Sequence, residues 1–328
     1  MYKITRFILL GILIVPITLY AAGDPEFSSW LVPWEKTRPR DPYVGGDGRV
    51  WFVGQSGHYA AYLLPETGEF TRFDLDAGTG PHNLIVADDG IVWYAGNRAA
   101  HIGRLDPETG GIDKIAMPEG VNDPHTLVFD KSGDIWFTSQ RSNFIGRFDV
   151  DTGEVKVVEV PTPRARPYGI VLDSKGRPWV NLLGTNKLAT VDPATMQLTE
   201  FSTPREAART RRIAITSDDR VWYVDYAEGY IGVFDQESGS FTEWASPSGA
   251  KSFPYGMSVD NKDRLWYVEG GPQPNQFVGF DAASEKVISV TSVPNSGGTI
   301  RHMYFDEQGN SIWFGMDSNY IGRAVLPD

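Results

Sequence analysis

Cysteine is absent from the 328 residues. That excludes disulfides, thiolate metal sites, a cysteine nucleophile and lipid-modified cysteine. Histidine is scarce, with five copies, so any imidazole base or ligand comes from a short list. The P-loop, HExxH, GxSxG and EF-hand patterns are missing. No stretch sustains a 3.6-residue hydrophobic period, which leaves helical folds without support. Basic residues are outnumbered, 30 Lys and Arg against 42 Asp and Glu, for a formal net charge of −12. An acidic balance of this size argues against generic nucleic-acid binding and for solubility.

What is present is a globular composition with an unusual start. Apolar residues make up 41%, including ten Trp, fourteen Tyr and seventeen Phe, which is ample material for a core. Lys3 and Arg6 precede an almost wholly apolar run from Phe7 to Tyr20, followed by Ala21, Ala22 and Gly23. The run falls short of the about 20 residues a membrane span needs. Residues 1–22 therefore read as a secretory signal peptide, cleaved within Ala21 to Gly23. The expected location is periplasmic or secreted, with no membrane attachment after cleavage.

The rest of the chain, residues 23–328, is repetitive. Trp recurs at 51, 93, 136, 179, 222, 266 and 313, at spacings of 42, 43, 43, 43, 44 and 47. Each lies in a short β-rich run such as VWFVG or IWFTS. A second strand-like run follows (HIGRLD, FIGRFD, YIGVFD), then a turn such as Asp106 to Gly110 and a last strand such as KVVEVP. Units of four short strands at this period are propeller blades. Seven Trp predict a single all-β, seven-bladed propeller, expected to be a monomer. The seventh repeat ends after three strands, and Phe27 to Val32 resembles the last strand of the others. That segment is expected to complete blade seven and remove its open edge.

In an antiparallel meander, the start of a blade's first strand and the end of its second lie on one face. Counting back eleven residues from each Trp gives Arg40, His82, His125, Tyr168, Arg211, Tyr255 and His302. All seven are polar or titratable, and three of the five His fall in this register. Counting forward four gives Gln55, Asn97, Gln140, Leu183, Tyr226, Gly270 and Asp317, expected as a second ring behind the first. Perturbable groups gathered in a concavity are the usual mark of a site. The connections into the first strands hold Lys36, Arg38, Arg164, Arg166, Arg205, Arg209, Arg212 and Arg301 as well. Acids such as Asp88, Asp89, Asp218 and Asp219 fall in the opposite turns. An acidic protein with a basic channel mouth is expected to bind a small polar or anionic ligand there. Blade seven alone pairs a His with a carboxylate in the two registers. His302 and Asp317 are equally far from a turn near Gly309 and Asn310. They are therefore expected to face each other, about 5 Å apart at Cβ, with Asp317 orienting His302 as a general base.

The phrases Gly80-Pro-His82, Asp123-Pro-His125, Arg166-Pro-Tyr-Gly169 and Phe253-Pro-Tyr-Gly256, with IWFTS, FIGRFD and WFGMD, resemble the virginiamycin B lyase (streptogramin lyase) family from about Phe27 onward. The resemblance implies a Mg²⁺-assisted elimination that opens a cyclic depsipeptide lactone without adding water. It implies His302 as base, Asp317 as a metal-holding acid, and substrate contact at the position of Tyr255. Two positions depart from the family. Ile300 stands where it carries a second acid, and Tyr255 where it carries a His. Two further readings stand beside a lyase acting on an ester or lactone. One is a non-catalytic ligand-binding or scaffolding propeller. The other is a metal-dependent lactone hydrolase, which the absence of carboxylates from the first register disfavours.

Overall fold

The computed structural model describes residues 23–328; the signal-peptide reading of residues 1–22 lies outside them. Twenty-eight strands form seven four-stranded antiparallel sheets. The one helical element among the described residues is a single 3₁₀ turn, Gly249–Lys251. None of the described helical structure is long and apolar enough to cross a membrane.

Blade one shows the plan, with strands Pro39–Val44, Val50–Gly54, Tyr59–Leu64 and Glu69–Asp74 paired in order. The recurrent Trp sits on every second strand, and none is more than 5% exposed. It packs between neighbouring sheets, where its area supplies the apolar burial that joins one blade to the next. The aromatic residue after the Trp explains the glycine of the third strand. Phe137 faces Gly146 across the ladder, and a Cβ at Gly146 would lie 2.2 Å from the Phe137 ring.

Closure follows the sequence expectation, shifted by one residue. The N-terminal strand Glu26–Leu31 pairs antiparallel with Tyr320–Val325, from Glu26 opposite Val325 to Leu31 opposite Tyr320. Blade seven is thus three C-terminal strands and one N-terminal strand. Trp30 stacks on Trp313 with ring centroids 5.4 Å apart. The Asn319 side-chain amide donates to the carbonyls of Val32 and Trp34, both at 2.9 Å.

The feature that shapes the site is a bulge in the first strand. In blade three the register jumps between Pro124 and Leu127. The same jump occurs at Arg40/Tyr43, Pro167/Ile170, Thr210/Ile213, Pro254/Met257 and Ile300/Met303. A bulge takes residues out of the ladder and re-aims their side chains. In six blades the polar register eleven before the Trp lies at this bulge; in blade two His82 precedes the strand Leu84–Val86.

Candidate functional site

The bulges bring the predicted first ring together around the axis. The rings of His82 and His125 are 3.5 Å apart at their centroids, and those of His125 and Tyr168 are 4.2 Å apart. The hydroxyls of Tyr168 and Tyr255 are hydrogen-bonded to each other. Arg211 lies over Tyr226 at 3.7 Å and Tyr255 at 4.5 Å. Arg40 donates from Nη1 to Gln55 Oε1 at 3.0 Å. Gln55 and Tyr226 therefore back the first ring as expected. Asn97 instead spends its amide on the carbonyls of Asp123 and Pro124.

Of the residues one position further along each first strand, the sequence pattern singled out only Arg212, as one of the basic residues of the mouth. Counting back ten rather than eleven from each Trp gives Asp41, Asn83, Thr126, Gly169, Arg212, Gly256 and Met303. Here Asp41 and Arg212 meet, Nη2 to Oδ2 at 3.2 Å, and Arg40 Nε lies 3.4 Å from the other Asp41 oxygen. Arg212 also donates to the Arg301 carbonyl at 2.8 Å. Arg40, Asp41 and Arg212 are all buried. Burial acts to raise the Asp41 carboxyl, but the guanidiniums of Arg40 and Arg212 overcome it and hold the group well below the ordinary carboxylate range. The only sequence signal for this layer was a lone Asp and a lone Arg in an otherwise uncharged register, 171 residues apart.

The three first-ring imidazoles are neutral. Burial, then the nearby Arg40, pulls His82 far below its ordinary value. Burial and Arg212 do the same to His125, and lower His302 to about 3. Two buried guanidiniums thus share one buried carboxylate, which leaves the centre one positive charge in excess. Three buried atoms there have no hydrogen-bond partner: Arg40 Nη2, His82 Nδ1 and His302 Nδ1. Buried polar atoms left this way are costly unless a ligand completes them.

Replacing Asp41 by Asn removes the one counter-charge of two buried guanidiniums. Breaking such a buried pair costs about 3–5 kcal/mol. The thermal midpoint is expected to fall by roughly 6 °C or more. An unchanged midpoint in a melting scan would show that Asp41 does not neutralise this centre.

His302 and Asp317 do not face each other. The bulge puts Ile300 opposite Met316, so Asp317 lies beyond the paired residues, level with Thr299. The Thr299 N–H donates to Asp317 Oδ2 at 3.2 Å. The extra residues of the bulge displace His302 from the position that simple hairpin symmetry assigned it. Asp317 instead binds Arg301, with Arg38 at 3.6 Å.

This bears on Mg²⁺. Both Asp317 oxygens are engaged, one by guanidiniums and one by a backbone N–H. The neighbouring Ile300 is buried and apolar. Among the described residues no three His, Asp or Glu are placed to hold a metal. A divalent cation needs several oxygen ligands, and the donor set at Asp317 does not fit one.

The comparisons agree with this architecture. The model of the virginiamycin B lyase family matches residues 20–272. Virginiamycin B lyase from Staphylococcus aureus is 25% identical, with a TM-score of 0.84 over 92% of this chain and 100% of that one. A catalytically inactive histidine-to-alanine form of that lyase, solved with quinupristin, is also 25% identical, with a TM-score of 0.83 over 92% of this chain and 100% of that one. Hydrazine synthase from Kuenenia stuttgartiensis, 13% identical with a TM-score of 0.73 over 89% of this chain and 96% of that one, shares the fold alone. No curated protein sequence matches this chain.

Proposed function

The chain belongs to the virginiamycin B lyase family, and from that premise we propose that it is an exported lyase opening an ester or lactone bond in a small polar molecule held at the channel mouth. The observation that carries this reading is the partnerless His302 Nδ1 beside a buried centre with one positive charge in excess. The neutral imidazole of His302 takes a proton from a carbon next to a carbonyl. The electron pair becomes a C=C bond to the neighbouring carbon, whose bond to the ester oxygen breaks. The leaving carboxylate is received by Arg40, whose Nη2 is free. Guanidiniums do in this scheme what a metal would do elsewhere, and no step passes through Mg²⁺. The inactive histidine variant of the staphylococcal lyase supports a histidine base in the family. The apolar run Phe7 to Tyr20 supports export.

A second reading has its own observation. An imidazole held at about 3 is a weak proton acceptor, and Asp317 is engaged by Arg301 and Arg38 rather than by His302. On this reading the propeller binds its ligand and leaves it unchanged.

Mass spectrometry of a panel of cyclic esters incubated with the protein separates the two. Elimination opens the ring at unchanged mass, which chromatography resolves; hydrolysis adds one water; binding alone changes nothing. With a turned-over ester in hand, His302→Ala is expected to lower kcat by about 10²–10⁴ with ligand binding retained. Full turnover in that variant would remove His302 as the base.

A further inference from the structure

The arginines of the mouth face divide by partner. Arg40 and Arg212 share Asp41, Arg38 and Arg301 share Asp317, and Arg205 meets Glu243 at 3.0 Å. Six have no carboxylate within 4.0 Å among the described residues: Arg98, Arg141 and the four that sit together, Arg164, Arg166, Arg209 and Arg211. All four line one hollow of about 610 Å³ between blades four and five, walled by Leu183 and Tyr226, with no Asp or Glu in its lining.

The hollow is held on a fixed backbone. Arg164 and Arg166 both adopt left-handed φ, 57° and 56°, on either side of the buried Ala165. Each such residue costs about 1–2 kcal/mol when it is not glycine. The loop is pinned by Gly184 N–H to the Ala165 carbonyl at 2.7 Å, Leu183 N–H to the Arg166 carbonyl at 3.1 Å, and Arg166 N–H to Asn143 Oδ1 at 3.1 Å. Gly184 permits the approach, since a Cβ there would lie 2.0 Å from the Arg164 carbonyl oxygen. On the other wall, Asp225 Oδ1 accepts from the Arg209 and Ala227 N–H groups, while its Oδ2 is buried without a hydrogen-bond partner. Arg211 stacks on Tyr226 with its Nε buried and partnerless, and its contact with Tyr255 joins the hollow to the central ring.

Four like charges are gathered with no carboxylate opposite them; Arg209 Nη1 donates to the Ala208 carbonyl at 2.5 Å, and Arg211 lies over two aromatic rings. Surface arginines with no further role separate or pair, because clustering repels and holding the geometry costs side-chain entropy. We propose that this hollow binds a multiply charged oxyanion, a phosphate or sulfate. That group is carried on the part of the ligand that overhangs blades four and five while the rest occupies the central mouth. The second half of this inference rests on the mouth being the ligand site; the oxyanion site itself does not.

The test uses inorganic pyrophosphate as probe, titrated calorimetrically into the full chain at low and moderate salt. Binding that weakens with salt is expected. The double variant Arg164→Gln, Arg166→Gln is expected to lower affinity at least about tenfold. The double variant Arg98→Gln, Arg141→Gln removes two exposed arginines from other loops of the same face. It is expected to change affinity by less than about twofold. Absence of pyrophosphate binding to the unmodified chain, or equal losses in the two pairs, would overturn the proposal. Arg40→Gln separates the two readings. If it alone abolishes binding, the anion sits in the central mouth and the hollow is not a site. If it leaves binding intact while the hollow pair loses it, the oxyanion site stands whatever the central ring does.

Discussion

Removal of residues 24–34 is expected to lower the thermal midpoint severely or prevent folding. The segment contributes a complete outer strand, six residues in register with Tyr320–Val325. It buries Val32 to 2% exposure and stacks Trp30 on Trp313. Phe27 sets its ring edge-on against Phe277 at 5.5 Å, so the strand also ties blade seven to blade six. Fully burying a large apolar side chain contributes about 1.5–3 kcal/mol; with Val32 buried and Phe27 and Trp30 partly buried, the three together contribute roughly 3–6 kcal/mol, a large share of a domain's net stability. Loss of the strand also exposes the backbone groups of Tyr320–Val325, an edge open to pairing with another chain. Melting scans with light scattering measure both effects. A truncated protein that melts like the full chain would show that the ring is not held closed by this strand.

The second large effect is acid lability above the carboxylate range. His82, His125 and His302 are buried and neutral in the folded protein, all with depressed values. Unfolded, each takes a proton near its ordinary value of about 6.5. Below that pH the unfolded state binds more protons, so stability falls as pH falls. The stabilising contribution of each His is fully present above about pH 6.5 and is lost as pH drops toward its folded value. For His302, held at about 3, the loss at pH 5 is about 2 kcal/mol, at 1.36 kcal/mol per unit. His82 and His125 act in the same direction. Asp41 does not offset this, because its depressed carboxyl stays ionised throughout the interval. Between pH 7.5 and 5 the midpoint is expected to fall by more than about 4 °C from His302 alone, and further from the other two. His302→Gln is expected to recover that share. A midpoint flat over this interval would mean that the imidazoles are solvated or already charged.

The repeat was legible because it depends on local chemistry. Each blade has a Trp on its second strand and turn residues at both ends, and in four of the seven a Gly faces the aromatic residue that follows the Trp. These recur at fixed offsets along the chain. The first ring was legible for the same reason, since a residue eleven before the Trp occupies the same place in every blade. The closing strand was legible from a deficit, three strands where the other repeats have four.

What the sequence concealed arises where the repeat is broken or where separate blades meet. Hairpin symmetry put His302 opposite Asp317. The bulge between Ile300 and Met303 shifts the register, and Asp317 binds Arg301 and Arg38 instead. Nothing in a residue count reveals a bulge, because it is set by the backbone's approach to the channel axis. Asp41 was passed over, and Arg212 was counted only as one of the mouth's basic residues, because each is ordinary within its own blade.

By itself, then, the sequence determined the seven-bladed propeller, its closure and the polar ring of Arg40, His82, His125, Tyr168, Arg211, Tyr255 and His302, all consequences of a local pattern repeated at a fixed period. The tertiary structure alone decided the partners of the charges. Asp41 lies between Arg40 and Arg212, Asp317 lies against Arg301 and Arg38, and four arginines between blades four and five have no carboxylate beside them. Ion pairing depends on distances across the ring, between residues as far apart in the chain as Asp41 and Arg212, and those distances exist only once the ring has closed.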